Sequence, residues 1–556
     1  MTHKENWLPL LAELYGPELA AQTAAEMQRR FAPYEHIAPK KADLDEKDLL
    51  LITYGDTLRR QGEPGLATLR RFLDDCTGSA IPAVHLLPMC PYTSDDGFSV
   101  TDYKQLDPAL GTWADLDALS GQRDMMYDAV VNHISKSSAW FQKFLACEEP
   151  YKDFFIVCDP GADYSAVTRP RTSPLLTPFE TKEGTKYVWT TFSDDQIDLN
   201  YHCPAVLLAV LDVLLFYAQR GARFIRLDAV GFLWKELGTT CMHLPQTHAL
   251  VRLMRLVLAD YAPGTKIITE TNVPHKDNIS YFGKGDEADL VYQFPLPPLV
   301  MFTLRAGNAA RLRTWAAGLE APRPGTAYFN FLSSHDGIGV RPTEGILTPE
   351  ERDFLVTATL RSGGEVSWKD NGDGTRSPYE LNINYQDALA EPDDPDATRV
   401  GRFLAAETIL LTMQGMPGLY IHSLLGSRND YYGRAVSGIP RRINREKPQA
   451  DAVISALAQN PNRRAIFTGL LARISIRAAH PAFAPAAAQE ILPWQDRLFA
   501  LTRTAPGGEK ILAAINVSGD AVPLPEPISG TELFTGVHYQ NETVTLAPWQ
   551  AVWVQL

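Results

Sequence analysis

The first residues in this 556-residue chain that could do chemistry are carboxylates at the ends of short apolar runs. In Gly221-Ala222-Arg223-Phe224-Ile225-Arg226-Leu227-Asp228 the middle reads as a buried β-strand, and Asp228 falls at or just past its C-terminal end. An Asp in that place often only caps a following helix. Here Arg226 precedes it by two residues, so a period of two puts both side chains on one face, where the guanidinium keeps the carboxylate ionised and oriented. The pattern recurs. Asp128, Asn132 and His133 follow another apolar run, Glu270 ends a third, and His335-Asp336 follow a fourth. Four coincidences of this kind point to one shared site rather than four separate caps.

Elements that could position these groups are visible from residue 49 onward. Apolar runs at Leu49 to Tyr54, Ala83 to Pro88, Met125 to Val131, Phe224 to Asp228, Lys266 to Thr271, Leu290 to Phe294, Tyr328 to Ser333 and Gly418 to His422 alternate with longer helical patterns. Eight strands separated by helices predict an α/β chain of the (β/α)8 TIM barrel kind, with functional groups where each strand ends. The expected barrel spans 48–480. Residues 1–47, helical from Trp7 to Phe31, form an N-terminal extension. Two gaps exceed ordinary barrel loops. A Pro-rich stretch at about 135–201 reads as a small inserted domain, and a second insertion at about 341–394 contains the turn-rich Lys369 to Arg376. Alternating runs after residue 486 predict a C-terminal antiparallel β domain, 486–556.

Composition sets limits on the reading. With 45% hydrophobic residues the chain buries a large core, and a formal net charge of -14 argues against nucleic acid as the main partner, since phosphate backbones call for a basic face. The six cysteines show no CxxC pair or metal-ligand spacing and read as reduced residues of a reducing compartment. The start, Met1 to Leu10, lacks a basic segment followed by a sustained apolar one, and the most apolar run, Val206 to Tyr217, is too short to span a bilayer and is interrupted by Asp212. A cytoplasmic protein without a membrane partner is expected.

Asp128 to His133, Ile225 to Asp228, Ile268 to Glu270 and Ser334 to Asp336 resemble, in order, the four signature segments of the alpha-amylase superfamily, and Gln196 to Asn200 resembles its additional segment. Within it the chain is similar to the sucrose phosphorylase subgroup, through Leu51 to Tyr54, His85 to Pro88, Arg169 to Arg171, Lys235-Glu236, Leu296 to Leu299 and Ile443 to Arg445. It most resembles the glucosylglycerate phosphorylases, in Ser94 to Val100, Trp189 to Gln196, Glu270 to Asn278 and Gly426 to Asp430. Asn272 stands where sucrose phosphorylase has a His, and Glu380 where it has a Gln.

The resemblance implies retaining α-glucosyl transfer from 2-O-α-glucosylglycerate to phosphate, with phosphorylases of sucrose, sucrose 6-phosphate or glucosylglycerol as alternatives. An α-glucoside hydrolase, and a binding scaffold without activity, are more distant readings. Asp228 is the implied nucleophile, Glu270 the acid/base with a raised pKa, and Asp336 the third carboxylate, gripping ring hydroxyls; a retaining pair sits about 5 to 5.5 Å apart. His133 and His335 would donate to glucose hydroxyls, Phe98 would give an apolar platform, Asp95 and Arg441 would close the pocket, and Gln196 and Arg226 complete the glucose site. Arg169, Arg171, Asn272, Tyr379 and Glu380 are expected to receive acceptor or phosphate. No cofactor and no metal is expected, with Asn132 in a structural hydrogen-bonding role. The partners are sugar and inorganic phosphate, the chain acting as monomer or homodimer.

Overall fold

The computed structural model describes residues 4–171, 173–370 and 374–556, so the first three residues of the N-terminal stretch and the centre of the expected turn, 371–373, lie outside the described residues. Eight strands form a closed barrel in chain order: β1 (Leu50–Thr53), β2 (Ala83–Leu86), β3 (Asp124–Ala129), β4 (Ala222–Leu227), β5 (Lys266–Thr269), β6 (Leu290–Tyr292), β7 (Ala327–Phe331) and β8 (Met416–Tyr420). Nearly every residue in them is buried, as continuous apolar strands covered on both faces require. Parallel register sets the chemistry in place. Asp128 on β3 lies opposite Arg226 on β4, and Leu227 on β4 lies opposite Thr269 on β5. The next residues, 228 and 270, therefore leave neighbouring strand ends together.

The chain divides into two compact units. One holds residues up to 43, His85–Thr271 and Asp277–Val291. Helices α1 (Trp7–Tyr15) and α2 (Pro17–Phe31) belong to it because they pack on its own helices, Pro204–Gln219 and Pro245–Tyr261. Trp7 stacks on Tyr261 at 6.1 Å between centroids, and Phe31 meets the same ring edge-on at 6.0 Å. Gly16 breaks the run between α1 and α2 with a φ of 79°. Asp212, the charge inside the apolar helix, is matched by Arg30 at 3.1 Å, Lys104 at 2.9 Å and the Tyr34 hydroxyl at 2.7 Å. The insertion after β3 forms a three-stranded antiparallel sheet of Val157–Cys158, Gly184–Trp189 and Leu176–Thr181, while Gln196–Asp198 pairs with His133–Ser135.

The other unit holds Leu44–Val84, Asn272–Lys276 and Tyr292–Leu556. Its second insertion is the helix Pro349–Arg361, opened by a Thr348/Glu351 capping box, and the antiparallel pair Glu365–Asp370 and Arg376–Asn382. The C-terminal residues form a six-stranded antiparallel sheet. Arg503, fully buried, joins this sheet to the barrel helix Asp396–Thr412 by donating to the Thr412 carbonyl at 2.8 Å, and Trp553 donates to the Thr412 hydroxyl at 2.9 Å. Among the described residues no helix is long and apolar enough to cross a membrane.

Candidate active site

In the first unit the groups expected at strand ends meet as the register requires. Arg226 donates from Nη1 to Asp228 Oδ1 at 3.0 Å and to Asp128 Oδ1. The other oxygen of Asp128 faces His85 Nε2 at 2.7 Å. A carboxylate paired with Arg226 can only accept, so Nε2 carries the ring proton, and burial lowers the His85 pKa. A His, an Asp and an Arg, all buried, thus fix the orientation of Asp228. Glu270 is held beside it: its Oε2 accepts from the Ala229 amide at 3.2 Å, and its own N–H donates to the Leu227 carbonyl at 3.1 Å. Ala229 offers that amide from a left-handed conformation, φ 49°, unusual for a residue with a Cβ and a mark of a functional turn.

The expected sugar-binding side chains of this unit also converge. Phe98 is buried, with the Arg226 guanidinium 5.6 Å from its ring centre, whereas Asp95 is exposed. Gln196 donates to the Phe98 carbonyl at 3.2 Å and to Asp95 at 3.4 Å. His133 is buried, and its Nε2 donates to the same carbonyl at 2.9 Å, so the proton expected to meet a glucose hydroxyl is given to the Phe98 backbone. Burial lowers the His133 pKa, leaving the ring neutral.

A buried ammonium escaped the sequence reading of individual roles. Lys235 Nζ lies 2.6 Å from Asp198 Oδ2 and 2.8 Å from Asn132 Oδ1. Asn132 Nδ2 donates to Asp198 at 3.0 Å, and Thr191 donates its N–H and hydroxyl to the same carboxylate at 2.8 and 2.7 Å. Asn132 is therefore fully engaged in structure beneath the site. The signal available was Lys235 itself, a charge directly after the apolar Phe232-Leu233-Trp234.

In the second unit Asp336 is gripped by Arg441 Nη1 at 2.7 Å, with His335 Nε2 3.5 Å from its other oxygen. Arg445 donates to the His335 carbonyl at 2.6 Å, and Asn444 donates to the Ser334 carbonyl at 2.7 Å. Tyr54 meets the His335 ring edge-on at 6.1 Å. Glu380, expected at the acceptor, is buried with its carboxylate occupied: Oε1 accepts from the Gly337 amide at 2.5 Å, and Oε2 accepts from Arg441 at 3.0 Å. It thus backs Arg441, and through it Asp336. A Cβ at Gly337 would lie 2.6 Å from Glu380 Cγ, so that close approach requires glycine. Asn272 faces Gly339, whose Cβ position is 3.1 Å from Asn272 Nδ2. Tyr379 lies in the strand Arg376–Asn382 and accepts the Val340 amide at its carbonyl at 3.1 Å.

The two arginines of the first unit's insertion differ. Arg169 donates to the Ser173 carbonyl, and burial lowers its pKa. Arg171 is half-buried. Among the described residues no group of three His, Cys, Asp or Glu side chains could hold a metal ion.

Residues 73–336 match the catalytic domain family of alpha amylase. The glucosylglycerate phosphorylase of Allomeiothermus silvanus is 51% identical over 515 residues, covering 92% of this chain and 91% of that one. The glucosylglycerate phosphorylase of Escherichia coli is 43% identical over 99% of this chain and 100% of its own length. Among solved structures, sucrose 6F-phosphate phosphorylase from Thermoanaerobacter thermosaccharolyticum superimposes with a TM-score of 0.75 at 26% identity, over 85% of this chain and 94% of that one. A barrel with these strand-end carboxylates, matched over nearly its whole length to chains of that kind, belongs to the alpha-amylase family, among the phosphorylases related to sucrose phosphorylase.

Proposed function

We propose that this protein is a retaining α-glucoside phosphorylase that reversibly transfers glucose from 2-O-α-glucosylglycerate to phosphate, giving α-glucose 1-phosphate and glycerate. The observation that carries the substrate is the identity, 51% and 43% over nine-tenths or more of the chain, to relatives named for that donor. The chemistry needs one carboxylate held anionic and one able to carry a proton. Asp228, oriented by Arg226, attacks the anomeric carbon as the C1–O bond to glycerate breaks, and Glu270 gives its proton to the departing oxygen. Phosphate then attacks C1 of the covalent glucosyl-enzyme from the opposite face to Asp228, Glu270 takes its proton, and two inversions leave the α configuration. Asp336, held by Arg441, hydrogen-bonds ring hydroxyls as the sugar flattens toward an oxocarbenium ion. Arg171 presents phosphate, and the same positive charge receives the carboxylate of glycerate in reverse. The reaction belongs in the cytoplasm, and the six unpaired cysteines fit a reducing compartment.

Time-resolved product analysis with glucosylglycerate, glucosylglycerol, sucrose and sucrose 6-phosphate, each with and without phosphate, tests this reading. It expects fast, phosphate-dependent release of α-glucose 1-phosphate from glucosylglycerate. Free glucose formed at one rate in both conditions would make the protein a hydrolase.

A further inference from the structure

The loop that carries Asp95 and Phe98 has a backbone that short-range forces do not favour. Asp95, Asp96 and Gly97 follow one another with φ values of 55°, 49° and 113°, two of them on residues with a Cβ. Gly97 has no alternative, since a Cβ there would lie 2.8 Å from Pro88 Cβ. Something outside the loop must hold it.

Asp195, buried in the insertion after β3, has the contacts to do so. Its Oδ2 accepts the hydroxyls of Thr93 at 2.6 Å, Ser94 at 2.5 Å and Ser99 at 2.8 Å, and its Oδ1 accepts Ser135 at 3.0 Å. Three of these donors bracket the left-handed turn on both sides, and the fourth lies two residues after His133. Ser99 also reaches the Asp195 carbonyl at 2.6 Å. Thr93 and Ser135 also lie 2.6 Å apart, one donating to the other, so the four hydroxyls and the carboxylate form one network; an ionised carboxylate, with several lone pairs and no proton of its own, can accept throughout it, whereas an amide would set an NH2 group among the hydroxyls. Burial alone would raise the Asp195 pKa, but the Ser94, Thr93, Ser99 and Ser135 hydroxyls outweigh it and hold the carboxyl below its usual value. The neighbour Gln196 extends the arrangement by donating to Asp95 and to the Phe98 carbonyl.

We infer that Asp195 is a positioning residue for the glucose site: it fixes the Ser94–Ser99 turn in its strained form, and so fixes Asp95 and Phe98 where the glucosyl ring binds. The inference rests on the proposed reading of Asp95 and Phe98 as glucose ligands. Because every donor brings the same glucosyl ring, loosening this turn weakens all donors alike and leaves the choice between phosphate and water as acceptor unchanged.

The test is kinetic, with amide exchange on the intact chain as a second readout. The wild-type rate with glucosylglycerate and phosphate tests the proposed function on its own. Against it, Asp195→Asn is expected to raise KM for glucosylglycerate and for α-glucose 1-phosphate by the same factor, about tenfold or more for lost charge-assisted hydrogen bonds. The ratio of phosphorolysis to hydrolysis stays at the wild-type value, and amide exchange speeds up across residues 94–99. Thr93→Val combined with Ser94→Ala keeps the carboxylate and removes two donors; it is expected to reproduce the effect, and it serves if Asp195→Asn does not fold. Unchanged KM values with unchanged exchange in either variant overturn the inference, as does a KM change confined to one donor.

Discussion

Glu407 offers a prediction whose size follows from its place in the structure. It sits in the helix Asp396–Thr412, where its neighbours in the chain from Ala405 to Thr412 are all buried, with about 1% of its own surface exposed. Burial, only partly offset by the Ser423 hydroxyl, pushes its carboxyl from 4.5 up to about 8. The folded protein therefore keeps this proton where the unfolded chain has lost it. Between pH 4.5 and about 8 the folded state binds more protons, so this group makes stability fall as pH rises through that window. At about 1.4 kcal/mol for each pH unit, the cost reaches roughly 3 kcal/mol at pH 7 and approaches 5 kcal/mol by pH 8.5. That is a large share of the roughly 5 to 15 kcal/mol by which domains are stable.

Glu407→Gln keeps the shape and removes the titration. The buried amide adds an offset of its own, but that offset does not vary with pH. Urea unfolding of both proteins from pH 4.5 to 8.5 should show the variant gaining on the wild type steadily, by about 3 kcal/mol or more across the range. The same region carries the loop of Asp336, since Ser423 shares a 2.9 Å hydrogen bond with Ser333. A difference between the two proteins that stays flat with pH would refute the reasoning.

Three further predictions concern the site. Glu270→Gln should slow glucosylation by glucosylglycerate far more than by α-glucose 1-phosphate, whose leaving group needs less protonation; single-turnover rates equally reduced for both would remove Glu270 from the acid/base role. Arg171→Ala should lower the ratio of phosphorolysis to hydrolysis by about tenfold or more, as loss of a charge-assisted phosphate contact implies, while the glucosyl-enzyme still forms; an unchanged ratio would make Arg171 a residue of the turn only. Lys235→Met leaves the fully buried Asp198 without its counter-ion and should cost about 3 to 5 kcal/mol in denaturant unfolding, most of it recovered when Asp198→Asn is added; a cost below about 1 kcal/mol would show that the ammonium is not what balances that carboxylate.

The barrel was legible because each of its strands is an apolar run buried on both faces, and the chemistry was legible because a parallel barrel brings its functional groups to strand ends. That logic brought Asp228 and Glu270 to neighbouring strand ends and set Arg226 beside Asp228. It could not show the supports that the fold assembles from distant residues. Asp195 gathers hydroxyls from residues 93, 94, 99 and 135, and Asp198 gathers Asn132, Thr191 and Lys235; such sets are joined by the fold and leave no spacing in the chain. The contacts of Glu380 were equally unreadable, since Arg441 and the Gly337 amide are brought to it only by the fold. In the C-terminal sheet the strand Ile528–Glu532 and the edge strand His538–Glu542 are the hardest to read, because exposed polar residues there blur the alternation.

The central claim is that glucose passes through a covalent bond to Asp228. Rapid quenching of Glu270→Gln during reaction with α-glucose 1-phosphate, followed by proteolysis and mass spectrometry, tests it directly. The account predicts one glucosyl unit attached to Asp228 and, on adding phosphate to the wild type, product of the α configuration. A glucosyl unit on another residue, or β-glucose 1-phosphate as product, would contradict it.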